Sequence, residues 1–109
     1  MTKDELNEKI IDWNIEDDVI ILEPQEEFND GIIGISEDKC HLIYSYQKLT
    51  ENIAKKYESD FYKNNPNNIK QPELYDDFLQ EACEWVDYNT IRSIPYMNEK
   101  FRPIIIYEF

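Results

Sequence analysis

Glycine is almost missing from this chain, with only Gly31 and Gly34 among 109 residues. A phosphate cradle of the G-x-x-x-x-G-K type needs several glycines leading into a helix N-terminus, so nucleotide binding by such a loop is excluded. Cysteine and histidine are equally scarce: Cys40, Cys83 and His41 are all there are. Three such side chains fall short of the four-ligand shell of structural zinc, and two cysteines do not make a disulfide framework. Both cysteines read as small buried hydrophobes. Cys40 and His41 are neighbours in an expected strand, where successive side chains point to opposite faces, so they do not form a catalytic pair. His41 is expected on the solvent face of that strand. No apolar run approaches the length of a membrane span, and the mixed-charge start "MTKDELNEKI" lacks the apolar segment of a signal peptide. The expectation is a soluble, cytoplasmic, single-domain protein over residues 1–109, with no metal, no cofactor and no membrane contact.

Positive charge is the other deficit. Eleven Lys and Arg stand against 24 Asp and Glu, for a net charge of −13. The imbalance is uneven: residues 1–38 hold 13 acids and two lysines, and residues 72–91 hold six acids and no base. Residues 39–71 run the other way, with six lysines and three acids. A field of this sign repels nucleic acid and anionic membrane, which excludes direct binding to either, and it attracts basic protein surfaces.

What is present builds a core. The chain is 41% hydrophobic and 14% aromatic. "TKDELNEKIIDW" opens with a capping box, Thr2 and Glu5, followed by Leu6, Ile10 and Trp13 at helical spacing. The β-branched run "VIIL", residues 19–22, reads as a strand. A hairpin follows, with residues 32–35 pairing with residues 40–44 across the polar turn "EDK". Gly31 stands at its entrance and Gly34 within it, at positions suited to a close backbone approach or a bulge. Leu49, Ile53, Tyr57 and Phe61 then mark a helix, which the Asn/Pro-rich stretch 63–72 breaks. Pro72 suits the first position of a last helix, whose inward stripe is Leu74, Phe78, Ala82, Trp85 and Asn89, widened by Leu79, Cys83 and Val86. Pro95 is expected to end that helix. The apolar run at residues 103–109 suits a strand set well into a sheet. The fold class is α+β, in the order α-β-β-β-α-α-β, with helices on one face of a small, mostly antiparallel sheet.

Two motifs bear on chemistry. Glu37 and Lys39 form an E-x-K beside a strand, with Asp18 and Asp30 upstream, a pattern that resembles the active site of a large nuclease superfamily. In that pattern the pair projects from a strand, whereas here it falls in a tight turn, so nuclease activity is not the expectation. The second motif is "EWVDYNTIRSIPY". Helical phase turns Trp85 and Val86 inward and leaves Tyr88 on the polar side; Asn89 and Arg92 finish the helix, Arg92 at the negative end of its dipole, and Pro95 stops it. Each residue has a structural use, so the motif is read as the lock between the last helix and the final strand.

The stretch "EACEWVDYNTIRSIPY", followed by "RPIII", is similar to a motif in a family of small uncharacterised bacterial and phage proteins. The resemblance spans roughly residues 14–107, and "YNTIR" is its most specific part. It implies an origin in phages or mobile elements and implies no activity.

Two functional readings follow. The first is a non-enzymatic inhibitor, of anti-CRISPR or anti-restriction type, whose carboxylates take the place of DNA phosphates on a basic surface of a host nuclease or other nucleic-acid-binding complex. Its binding residues are Asp12, Glu16, Asp17, Asp18, Glu23, Glu26, Glu27 and Asp30. A second group is Asp76, Asp77 and Glu81. The alternative is a regulatory, antitoxin-like or homodimeric module that uses exposed aromatics such as Tyr44, Tyr46, Phe61, Tyr62 and Phe109, or a strand edge.

Overall fold

The computed structural model describes residues 1–67 and 73–108. Along the chain run α1 (Lys3–Asp12), α2 (Gln25–Phe28), β1 (Ile32–Ile35), β2 (Leu42–Ser45), α3 (Tyr46–Asn64), α4 (Glu73–Asn89) and β3 (Ile104–Ile106). Short 3-10 helices occupy Asn29–Gly31 and Ile91–Tyr96. The α+β class stands, but the order is α-α-β-β-α-α-β. Pro72 and Phe109 lie outside the described residues, as do residues 68–71 of the Asn/Pro-rich stretch; α3 carries on into that stretch as far as Asn64.

Helix α1 starts as expected, with Thr2 Oγ1 accepting from the Glu5 amide at 3.1 Å. Its end is a Schellman motif. Asn14 takes the left-handed conformation (φ 52°), and the amides of Asn14 and Ile15 donate to the carbonyls of Ile11 and Ile10 at 3.3 and 3.1 Å. The expected apolar face is only partly used: Leu6 is buried, whereas Trp13 is 56% exposed, with the Lys9 ammonium over its ring.

The sheet order is β1-β2-β3, antiparallel then parallel. Ser45 ends β2 and at once caps α3, accepting from the Lys48 amide, so the chain turns directly from sheet to helix. The α3–α4 hairpin then carries it back to lay β3 beside β2. The apolar run at the C-terminus is therefore an edge strand rather than a central one, and Ile104 and Ile106 are exposed. A bulge interrupts β1 between Ile32 and Gly34, while a Cβ on Gly31 would meet Leu49 Cδ2 at 2.6 Å. Gly31 is thus closely approached, as its place at the strand entrance suggested, whereas the bulge ends at Gly34, where a side chain would have room.

Leu42 and Tyr44 point inward to meet Leu49, Ile53 and Ala54 of α3 and Ala82 and Val86 of α4. Tyr44 is fully buried, contrary to the expectation of an exposed anchor. Burial fades along both helices away from the sheet, so their distal halves form an arm in a molecule 49 Å long and 27 Å wide. Helix α4 stops at Asn89, six residues short of Pro95, which instead lies inside the 3-10 helix. Cys40 and Cys83 are free and half-buried rather than fully buried.

Candidate acidic interface

Residues 19–22 are not a strand: they pair with no strand and have no regular structure. A short apolar run has the same periodicity in a buried strand and in a pinned loop, and here the loop prevails. Ile15, Val19, Leu22 and Phe28 are buried in the core, with Ile21 packed against it, and five of the acids between these anchors face water. Glu16, Asp17 and Asp18 fall between Ile15 and Val19, while Glu23 and Glu26 fall between Leu22 and Phe28. All five are exposed, as is Asp12 at the end of α1. Alternation of buried anchors and acids turns a non-repetitive segment into a display of carboxylates.

Hydrogen bonds hold the segment at several depths. The Glu16 amide donates to the Lys39 carbonyl at 3.1 Å and the Ile20 amide to the Phe101 carbonyl at 3.4 Å. The Leu22 amide donates to the Tyr44 hydroxyl at 3.0 Å, inside the core. Asn52 Nδ2 donates to the Glu27 carbonyl at 2.9 Å, and Phe28 packs edge-on against Trp85. Burial pushes the Tyr44 phenol up to about 12, against the lowering pull of the Leu22 bond.

The proposed acids divide by partner. Glu27 is half-buried and pairs with Lys56 at 3.4 Å, and Asp30 pairs with the Met1 amino group. Asp12, Glu16, Asp17, Asp18, Glu23 and Glu26 make no ion pair among the described residues. Glu23 instead accepts from the amide and side chain of Gln25 at 3.2 and 3.1 Å. Asp38, which the sequence reading passed over as a turn residue, lines one recess with Glu16, His41 and Lys100. Its carboxyl is held below the usual range, first by the Ser36 hydroxyl and then by the Cys40 amide. The signal for it was an Asp in a polar turn, placed to accept from the backbone amide two residues on as in an Asx-turn, here that of Cys40. Asp76, Asp77 and Glu81 form a separate exposed group on α4, where Asp77 and Glu81 line a groove against Tyr57 and Phe61 of α3.

Other sequence readings shift. His41 is half-buried outside the strand, with Nδ1 at 2.8 Å from the Arg102 carbonyl, so it ties β2 to the approach of β3. Glu37 and Asp38 sit in the hairpin turn, with Lys39 left-handed (φ 61°), and no three of Asp, Glu, His and Cys converge to hold a metal ion among the described residues. Tyr46 is half-buried; its hydroxyl donates to Asp87 at 2.8 Å and its ring lies 4.6 Å from that of Tyr107. In the "YNTIR" block, Asn89 Nδ2 donates to the Trp85 carbonyl at 3.0 Å and the Arg92 guanidinium lies over the Tyr88 ring. No helix among the described residues is long and apolar enough to cross a membrane. No family model, curated protein or solved structure matches this chain.

Proposed function

We propose that this is a non-enzymatic binding protein whose pinned acidic segment occupies a basic, phosphate-binding surface of a nucleic-acid-binding protein. The observation that carries the reading is the set of six exposed carboxylates, Asp12, Glu16, Asp17, Asp18, Glu23 and Glu26, without ion-pair partners among the described residues, the last five on a segment anchored by Ile15, Val19, Leu22 and Phe28. A backbone already held in place loses little entropy on binding, and the carboxylates it carries speed encounter with an opposite charge. The resemblance of the "YNTIR" block supplies the setting: a phage or mobile-element inhibitor of a host nuclease or related defence complex, acting in the host cytoplasm. Asp76, Asp77 and Glu81 are a second contact on that surface.

The test is capture from a bacterial host lysate with immobilised protein. A nucleic-acid-binding protein is expected, displaced by duplex DNA and released as salt rises, because the Debye length is only about 8 Å at physiological ionic strength. A partner retained equally by a variant with Glu16→Gln, Asp17→Asn, Asp18→Asn, Glu23→Gln and Glu26→Gln refutes the reading.

A second reading rests on a different observation. Tyr96 is 91% exposed, and Tyr88, Ile104 and Ile106 are exposed as well. Apolar side chains of this size are interface currency in regulatory or homodimeric modules. Retention of the partner by the five-site variant, with loss on Tyr96→Ser and Ile106→Ser, selects this reading instead.

A further inference from the structure

The two edges of the sheet differ. β1 carries a bulge between Ile32 and Gly34, a common device for blunting an edge, and it lies in the stretch with 13 acids and two lysines. β3 pairs with β2 in unbroken register and has no second strand neighbour among the described residues. Residues 92–109, which include it, hold three bases and two acids. A second copy of the chain therefore meets no strong like field here, as it would at β1, where like charges are costly. Ile104, Ile106 and Tyr107 are exposed, while Ile105 packs against the core.

Both main-chain groups of Glu108 turn back toward the start of α3. Its amide donates to Gln47 Oε1 and its carbonyl accepts from Gln47 Nε2, each at 2.8 Å. Main-chain groups alternate in direction along a strand, so those of Ile105 and Tyr107 point to the open edge. That edge is complementary to itself. In antiparallel pairing about a two-fold axis at Ile105, Ile104 lies across from the partner's Ile106, and Arg102 lies across from the partner's Glu108. Neither charge is fully used within the chain. Arg102 makes a 3.3 Å hydrogen bond to the Met97 carbonyl and a 3.7 Å pair with the exposed Glu99, and its Nε has no partner among the described residues. The Glu108 carboxylate makes no ion pair among them.

We propose that the open edge of β3 binds the β3 strand of a second copy, antiparallel about Ile105, with an Arg102–Glu108 pair at each end of the seam. Two three-stranded sheets then become one continuous sheet. Pro103 has no amide to offer, which confines the pairing to the residues after it. The proposal rests on the apolar reading, to which it gives a definite partner and register, and it makes no use of the acidic segment.

Sedimentation equilibrium of the full chain should show a monomer and dimer in exchange. Arg102→Glu and Glu108→Arg each set like charges across the seam twice, so each should weaken the dimer at least about tenfold. Mixing the two variants should restore association, because opposite charges then face each other at both ends. Circular dichroism checks that both variants fold, and Glu108→Arg, at an exposed position without an ion pair, tests the seam by itself. A monomer at every concentration overturns the proposal and leaves the apolar reading to the lysate test. A dimer that withstands Glu108→Arg but is lost on Ile106→Ser overturns this register and keeps the apolar reading. A dimer indifferent to both changes overturns the two together.

Discussion

Residues 13–31 and the distal halves of α3 and α4 invert the usual association of regular structure with fixed position. The first stretch has one turn of α-helix and one of 3-10 helix. Yet it buries Ile15, Val19, Leu22, Phe28, Asn29 and Gly31. The arm is helical across residues 55–64 and 73–81, and none of its described side chains is fully buried. Backbone hydrogen bonds fix the local path of a helix. Where that path lies relative to the rest of the molecule is fixed by what it buries. A surface meant to meet a partner in one geometry is therefore better placed on the irregular segment than on the arm.

Removing an anchor from the irregular segment is the strongest way to break this contrast. Phe28 is fully buried, with Trp85 against its ring, and a buried Phe→Ala change costs about 3–5 kcal/mol. Phe28→Ala should lose that much in urea-induced unfolding and release the amides of residues 16–28 to fast hydrogen exchange. A loss under 1 kcal/mol would mean that the segment is not held from within.

Tyr44→Phe cuts the hydrogen bond and keeps the ring. The Leu22 amide then stays buried without an acceptor, at a cost of about 1–3 kcal/mol. The pH dependence gives an independent check. Tyr44 titrates at about 12 in the fold, against 10.0 ordinarily. Below pH 10 both states hold the proton and the contribution is complete; as pH rises toward 12 the unfolded state ionises first and stability falls, by about 2–3 kcal/mol for this group. Burial raises Tyr46, Tyr57 and Tyr75 too, so Tyr44→Phe should flatten the alkaline limb of a stability-versus-pH curve without abolishing it.

Both halves of the comparison were unequally legible in the sequence. Helical period marked α3 and α4 because one face repeats over many turns, and Thr2 and the two glycines marked their own positions through local chemistry. The run at 19–22 misled because a buried loop and a strand share the same apolar signature. The edge position of β3 was hidden for a related reason: whether Ile104 and Ile106 are covered depends on what packs beyond them. The acids were visible as composition. Their alternation with Ile15, Val19, Leu22 and Phe28 was in the sequence as well, but with no fixed period it had no template to match.

The arm should yield more cheaply than the segment. Phe61 meets Phe78 with ring centroids 5.6 Å apart and is half-buried, so Phe61→Ala should cost about 1 kcal/mol, part of the transfer energy of a fully buried ring. The distal amides of α3 and α4 should exchange by local opening well below the global unfolding energy. Exchange there as slow as at Leu49 or Val86 would show that the arm is as firmly held as the core.

The smallest effect sharpens the comparison at the point where segment and hairpin meet. Glu16 is held by the Lys39 carbonyl, and Lys39 is placed by a turn in which Asp38 accepts from the Ser36 hydroxyl and the Cys40 amide. These bonds favour the carboxylate, so Asp38 titrates below its ordinary 3.8 in the fold. The stability it contributes is present above pH 3.8 and is lost as pH falls through the lowered value. Because Asp38 is exposed, Asp38→Asn should shift the urea midpoint only slightly at pH 7, and the shift should shrink as pH falls below 3.8 and the carboxyl takes up its proton. Ser36→Ala should raise the Asp38 carboxyl toward its ordinary value in an NMR titration, since the Ser36 hydroxyl is the largest cause of its lowering. If that carboxyl does not move, the turn is shaped by its backbone alone, and Glu16 owes its placement to Ile15 and Val19.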